Sequence, residues 1–330
     1  MMTERSKNMC TSISMDIGGF CFGRNMDIEF VLPVQTVITP RKYPFKFRRG
    51  GALSEHYAFI GSAVIKQGYP LYCDAMNEFG LCMAGLSFPD NVYLRGHSTE
   101  KIEVTPFELI PWVLGSCCDI SQAVSLLSRT AIVDEPLNTD TPNTPLHWHI
   151  ADKNGALVVE CTADGMKLHN DPVGVLTNAP PFDFHLQNLR QYVDVTAEYP
   201  KSRYLGKYEL SPFGRGFGAI GLPGDFSPPS RYVRAAFLKN NSVCGEDESS
   251  RISQLFHVLD NVAMPRGSVL TADGREELTA YSCCMSEGVY YYKTYGNNQI
   301  TAVDMHRENL NSGALKRYPL TIEQQIRRQN

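Results

Sequence analysis

The alternation near the start of the chain constrains its fold more than any other feature. Ile13, Met15 and Ile17 alternate with Ser12, Ser14 and Asp16, and Phe20 and Phe22 alternate with Cys21 and Gly23. That is the period of half-buried strands. Between the runs stands Gly18-Gly19, a pair that accepts the positive φ of a two-residue hairpin loop. A tight antiparallel hairpin is therefore expected, and it brings Cys10 back toward Arg24 and Asp27. Two readings of Cys10 stand at this point. Free cysteine is among the most buried residue types, so Cys10 could simply fill a strand face. If Cys10 became the first residue, it would instead carry a thiol and a free α-amine. A neighbouring cation favours the nucleophilic thiolate, and an amine that titrates near neutrality can take and return a proton.

The rest of the chain repeats the theme of hairpins with helices set in pairs between them. Strands are expected at 34–39, 57–65, 70–75 and 81–88, then at 147–151, 156–161 and 166–169. A closing meander covers 278–285, 288–294 and 299–305. Helices are expected over 106–114, opened by Thr105-Pro106, and over 122–129, 182–192, 231–238 and 251–262. Residues 91–103 read as a polar loop over a site, and 135–145, with three prolines, as another loop. This order favours α+β with antiparallel sheets over a doubly wound parallel sheet. Residues 10–330 show no repeat or linker and are expected to form one domain behind a polar extension, residues 1–9.

Composition excludes several classes. With 43% hydrophobic and 20% charged residues the chain is globular rather than disordered. A net charge of -4 lacks the basic footprint of a nucleic-acid binder. No run of 18 apolar residues points to a membrane span, and Arg5 and Lys7 precede no signal-like apolar core. The ten cysteines form no C-x-x-C, so reduced thiols in a cytoplasm are expected and no zinc site is. His147 and His149 share one strand face as a possible metal pair, but no further ligand stands at a recognised spacing; a core role is favoured. The glycine-rich stretch 213–225 follows no apolar strand and reads as a plain loop rather than a phosphate cradle. Asn178 ends an apolar strand before Pro180, either as a turn residue or as an oxyanion donor. Arg231 stands in a helical first turn, where a cation is unfavourable unless an acid or a site holds it.

Seven motifs occur in order: Met9-Cys10-Thr11, Phe22-Gly23-Arg24-Asn25-Met26-Asp27, Asn77-Glu78-Phe79-Gly80-Leu81, Pro145-Leu146-His147-Trp148, Gly174-Val175-Leu176-Thr177-Asn178, Gly221-Leu222-Pro223-Gly224-Asp225 and Ser230-Arg231. On these the sequence resembles the choloylglycine hydrolases, the group of bile salt hydrolases and penicillin V acylases. The resemblance implies an N-terminal nucleophile hydrolase, a four-layer αββα sandwich with two antiparallel sheets between helix layers. It implies hydrolysis of glycine- and taurine-conjugated bile acids without metal or cofactor, by a homotetramer. Carried over, Cys10 is the nucleophile and its α-amine the proton shuttle. Arg24 and Asp27 hold thiol and amine, Asn178 and the Ser87 backbone N–H form the oxyanion hole, and Arg231 joins the polar cluster. Met26, Phe59 and Ile65 are expected to line the acyl pocket.

Two departures accompany the resemblance. Family members usually begin at Met-Cys, whereas nine residues precede Cys10 here, so residues 1–9 are expected to be removed or not translated in the active form. Ser87 stands where the bile salt branch commonly has Asn and the penicillin branch Tyr. Penicillin V or an N-acyl homoserine lactone is the alternative substrate, and a non-catalytic binding protein the alternative class.

Overall fold

The computed structural model describes residues 8–94 and 97–330. The predicted loop over 91–103 thus lies partly outside the described residues, as do residues 1–7 of the extension.

The opening hairpin forms as its alternation requires. Strand β1 (Met9–Asp16) pairs antiparallel with β2 (Phe20–Ile28), with Cys10 opposite Met26 and Ser12 opposite Arg24. The loop has three residues rather than two, because Asp16 still pairs with Phe20. Gly18 and Gly19 take φ of 77° and 141°, and Asp16 Oδ1 accepts the Gly19 N–H at 3.1 Å. Next come β3 (Gln35–Thr39), β4 (Phe59–Lys66), β5 (Tyr69–Asn77) and β6 (Cys82–Ser87). Helices α1 (Leu109–Ser116) and α2 (Ile120–Ser128) follow, the second capped by Asp119, which accepts the Gln122 N–H. Then β7 (Leu146–Asp152), β8 (Gly155–Thr162), β9 (Gly165–Asn170) and the short β10 (Val175–Leu176) lead into α3 (Phe182–Leu189). Helices α4 (Pro228–Asn240) and α5 (Glu248–Asp260) precede the meander β11 (Glu276–Ser286), β12 (Val289–Thr294) and β13 (Asn297–Asp304), and β14 (Lys316–Pro319) closes the chain.

Two large antiparallel sheets result, beside small two-stranded pairs. One runs β10-β1-β2-β11-β12-β13, with a short strand, Val269–Leu270, also on β11. The other runs β9-β8-β7-β6-β5-β4-β3-β14. They face each other through β1 against β6 and β7 and through β12 against β4. Helices α4 and α5 cover the outer face of the first sheet, and α1 and α2 that of the second. The four layers are therefore helix, sheet, sheet, helix, as expected from the resemblance.

Burial on both faces explains the composition of the central strands. Ile60 and Val64 of β4 join the core that includes the space between the sheets, whereas Phe59, Ala63 and the half-buried Ile65 pack toward α1 and α2. This parity corrects the expected pocket lining. Phe59 is stacked on Phe45 and packs at an angle against His56 and Tyr72, and Ile65 shares its face.

Candidate active site

Because Cys10 lies opposite Met26, its side chain shares a face with Arg24, two residues along β2. That diagonal is within reach of a long side chain. Arg24 Nη2 donates to Cys10 Sγ at 2.9 Å. Met26 Sδ stands 3.9 Å from the same sulfur. Arg24 is fully buried; its Nη1 crosses to the second sheet, where it donates to Cys73 O at 2.8 Å and lies 3.4 Å from Asp74 Oδ2. Asp27, one residue beyond Met26, points to the opposite face. Its Oδ1 accepts from Thr279 Oγ1 at 2.5 Å. Its Oδ2 is buried with no hydrogen-bond partner, 3.9 Å from Arg231 Nη1. Burial pushes the Asp27 carboxyl up to about 6, against the pull of Arg231.

Helix α4 brings Arg231 to the start of β1. Ser227 and two prolines open the helix, which sets Arg231 in its first turn with a fully buried side chain. The unfavourable position is offset by acceptors. Arg231 Nη1 donates to Cys10 O and Thr11 Oγ1, both at 2.6 Å, and Nη2 to Asn178 Oδ1 at 2.6 Å. Asn178 Oδ1 also accepts the Cys10 backbone N–H at 2.9 Å. Two donors on Oδ1 fix which way the amide faces. Its Nδ2 donates to Ser87 O at 2.7 Å, which leaves one N–H to offer. The backbone behind it is clamped by imidazoles. His185 Nε2 donates to Asn178 O at 2.8 Å. His147 Nε2 donates to Thr177 O at 2.9 Å, and its Nδ1 meets Glu160 Oε1 at 3.0 Å. His149 is equally buried against Ser12 Oγ at 2.8 Å, and burial holds its imidazole down to about 3. Both histidines of the strand thus serve the interior, and no cluster of three or more metal-ligating side chains occurs among the described residues.

Ser87 ends β6 opposite Leu146. The Phe88 N–H donates to Pro145 O, so Phe88 occupies a hydrogen-bonded position and Ser87 a non-bonded one. The Ser87 N–H therefore points away from β7, on the side where β5 has ceased to pair with β6. The Ser87 Oγ is buried without a partner.

Cys10, Arg24, Met26 and Ser87 border a cavity of about 250 Å³. Its wall is apolar, with Ile28, Leu32, Val64, Leu71, Phe107 and Ile110; Lys66, Thr141, Asn143 and Thr144 form a polar border. Val64 and Lys66 replace the expected Phe59 and Ile65, which do not line it. The bordering loop is 141–144 rather than 91–103, whose described residues 97–101 line a separate surface depression.

Cys10, Arg24 and Ser87 thus meet on an apolar cavity, whereas Asn178, Asp27 and Arg231 stand behind Cys10 and do not line it. The model of the choloylglycine hydrolase family of linear amide C–N hydrolases matches residues 10–318. The chain belongs to that family. It is similar to a bile salt hydrolase/transferase of Lactiplantibacillus plantarum, 43% identical over 96% of this chain and 98% of the relative. It is also similar to one from Clostridium perfringens, 40% identical over 94% and 96%. Among solved structures, a cysteine-to-alanine mutant of the conjugated bile acid hydrolase from Clostridium perfringens superposes with a TM-score of 0.90 at 37% identity, over 97% of this chain and all of that one. Penicillin V acylase from Agrobacterium tumefaciens shares the fold, with a TM-score of 0.75 at 20% identity over 93% and 90%.

Three polar residues at this site escaped the sequence reading. Asp74 lies under Arg24, Thr279 holds Asp27, and Glu277 Oε1 accepts the Met9 N–H at 2.6 Å. Burial pushes the Glu277 carboxyl up to about 7. One signal for Asp74 was present: it is an acid in the middle of an otherwise apolar strand.

Proposed function

We propose that this chain hydrolyses the amide bond of glycine- and taurine-conjugated bile acids, with Cys10 as nucleophile. The observation that carries the reading is the Cys10 sulfur at the base of an apolar cavity with Arg24 Nη2 at 2.9 Å. The names of the relatives at 43% and 40% identity support the substrate class.

The active form begins at Cys10, residues 1–9 being removed or not translated. In the chain described here the Cys10 nitrogen is a peptide N–H that donates to Asn178 Oδ1. Freed, it is an amine beside that oxygen, and the buried Asp27 Oδ2, which has no hydrogen bond, offers an acceptor on the same end of the hairpin. The amine takes the thiol proton. The thiolate adds to the amide carbonyl, whose π electrons move to oxygen. The free Asn178 N–H and the Ser87 backbone N–H stabilise that oxyanion. As the carbonyl re-forms, the C–N bond breaks and the proton passes from the α-ammonium to the departing glycine or taurine. Water then adds to the thioester, returns the bile acid and regenerates the thiol. The apolar wall suits a steroid acyl group, and the single N–H contribution of Ser87 is independent of its side chain.

A cytoplasmic location suits a reduced Cys10, and the ten cysteines, all free thiols, are consistent with it. The hairpin formed by Arg203–Leu205 and Tyr208–Leu210 is exposed at every residue, with Tyr204 and Tyr208 at 70% and 71% exposure. Such an apolar projection fits a second copy of the chain, in a homotetramer as the resemblance implies. The test is amine release from glycocholate, taurocholate and penicillin V by protein starting at Cys10. Turnover of either bile salt above penicillin V supports the reading, and a several-fold preference for penicillin V in kcat/KM overturns it.

A further inference from the structure

Asp74 is a carboxylate with no exposure at the centre of an apolar strand. A charge in such a place persists only when it is paired and hydrogen-bonded, and Asp74 is both. Its Oδ2 accepts from Tyr281 OH at 2.6 Å and Ser62 Oγ at 2.8 Å, and its Oδ1 from Tyr290 OH at 2.8 Å. Tyr281 and Tyr290 come from β11 and β12 of the first sheet, Ser62 from β4 of the second. The cage therefore spans the sandwich. The cation that faces Asp74 is Arg24, at 3.4 Å.

Arg24 is thus shared between two acceptors of different kind. Asp74 is a caged carboxylate acceptor on Nη1. The Cys10 sulfur, on Nη2, is a weak acceptor as a thiol and a strong one as a thiolate. The Arg24 Nε has no partner, so the orientation of the fork rests on these contacts, on Cys73 O and on Met26 Sδ at 3.6 Å from Nη2.

We propose that Asp74, held by its three hydroxyls, is a positioning residue that anchors the Arg24 fork and moderates how strongly Arg24 draws Cys10 into its thiolate form. It acts on the reaction through Arg24 and touches no reacting atom. The inference rests on the reading of Cys10 as nucleophile only for its kinetic consequence.

The ionisable groups around the thiol define what an experiment reads. They are Arg24 and Asp27 on β2, Cys73 and Asp74 on β5, Glu277, Tyr281 and Cys283 on β11, Tyr290 on β12 and Arg231 on α4. Burial keeps the Cys73 thiol protonated, up to about 12, and lifts the Tyr281, Tyr290 and Cys283 groups well above their ordinary range. Asp27 and Glu277 titrate near 6 and 7. They are common to every variant, so the difference between variants isolates Asp74.

The experiment is iodoacetamide alkylation of Cys10 as a function of pH, read by peptide mass spectrometry on the full chain. Asp74→Asn keeps the shape of the side chain and removes its charge. Arg24 then loses its nearest carboxylate and keeps the sulfur as the group it contacts directly, and the midpoint of Cys10 alkylation moves down by about one pH unit. Tyr290→Phe removes a donor from Asp74 and concentrates its charge on Arg24, so the midpoint moves up by a few tenths of a unit. A residue that serves only stability gives neither shift. An unchanged or raised midpoint in Asp74→Asn overturns the proposal. Should that variant not fold, an unchanged midpoint in Tyr290→Phe does so. Alkylation requires no turnover, so opposite shifts, with protein starting at Cys10 inactive on bile salts, would retain this inference and reject the proposed function.

Discussion

Replacing Asn178 by alanine removes a side chain that makes three contacts. Its Oδ1 accepts from the Cys10 nitrogen and from Arg231 Nη2, and its Nδ2 donates to Ser87 O. Two costs follow, and they separate. Loss of one fixed oxyanion donor costs about 2.7–4 kcal/mol in the transition state, or about 10²–10³ in kcat. The ground state is destabilised independently, because Arg231 Nη2 and Ser87 O lose a partner inside the protein, by about 2–4 kcal/mol. Asn178→Asp divides the two effects. A carboxylate keeps, and strengthens by charge, the bond to Arg231, but it has no N–H to offer. The expected result is a kcat loss of about 10²-fold in both variants, with KM for glycocholate little changed and a larger loss of denaturant stability in the alanine variant, because the aspartate variant loses the bond to Ser87 O but keeps the one to Arg231. Steady-state amine release and urea unfolding measure these quantities. An aspartate variant that retained kcat while the alanine variant lost it would refute the donor role and leave Asn178 a purely structural clamp.

Ser87→Ala removes a buried hydroxyl without a partner, so stability and kcat should change little, stability by less than about 0.5 kcal/mol; a tenfold fall in kcat would show that the hydroxyl takes part. Phe59→Ala should cost about 3–5 kcal/mol in unfolding free energy and leave KM unchanged, whereas Val64→Phe should raise KM for bile salts; the reverse pattern would contradict the face assigned to each. Asp27 is raised from its ordinary 3.8 to about 6 chiefly by burial. The folded chain therefore holds that proton more tightly than the unfolded one, and stability falls as pH rises between about 4 and 6, by about 3 kcal/mol in total. Asp27→Asn should flatten this slope in urea titrations of the full chain and raise stability above pH 6 while it abolishes turnover; an unchanged slope would show that Asp27 is paired otherwise.

Local chemistry made much of this protein legible. The alternation around Gly18-Gly19 specified the β1–β2 hairpin, and the hairpin alone brought Cys10 toward Arg24. The first-turn position of Arg231 was conspicuous because a cation there needs acceptors, and the structure supplies Cys10 O, Thr11 Oγ1 and Asn178 Oδ1. The lining of the cavity was not legible in the same way. Strand β4 is buried on both faces, so no polar alternation tells which side faces the cavity, and a parity error of one residue exchanged Val64 and Lys66 for Phe59 and Ile65. Asp74 was hidden for a different reason. Its hydroxyl partners on the first sheet lie 207 and 216 residues away along the chain, and only the stacking of the two sheets brings them together.

The central claim is that Cys10 forms the covalent bond to the acyl group. Its most direct test is acid quenching of protein starting at Cys10 during turnover of glycocholate, followed by peptide mass spectrometry. A cholyl thioester on the Cys10 peptide, absent in Cys10→Ala together with glycine release, is the result expected. Glycine release that persists in Cys10→Ala, or an acyl adduct on any other residue, would contradict the account.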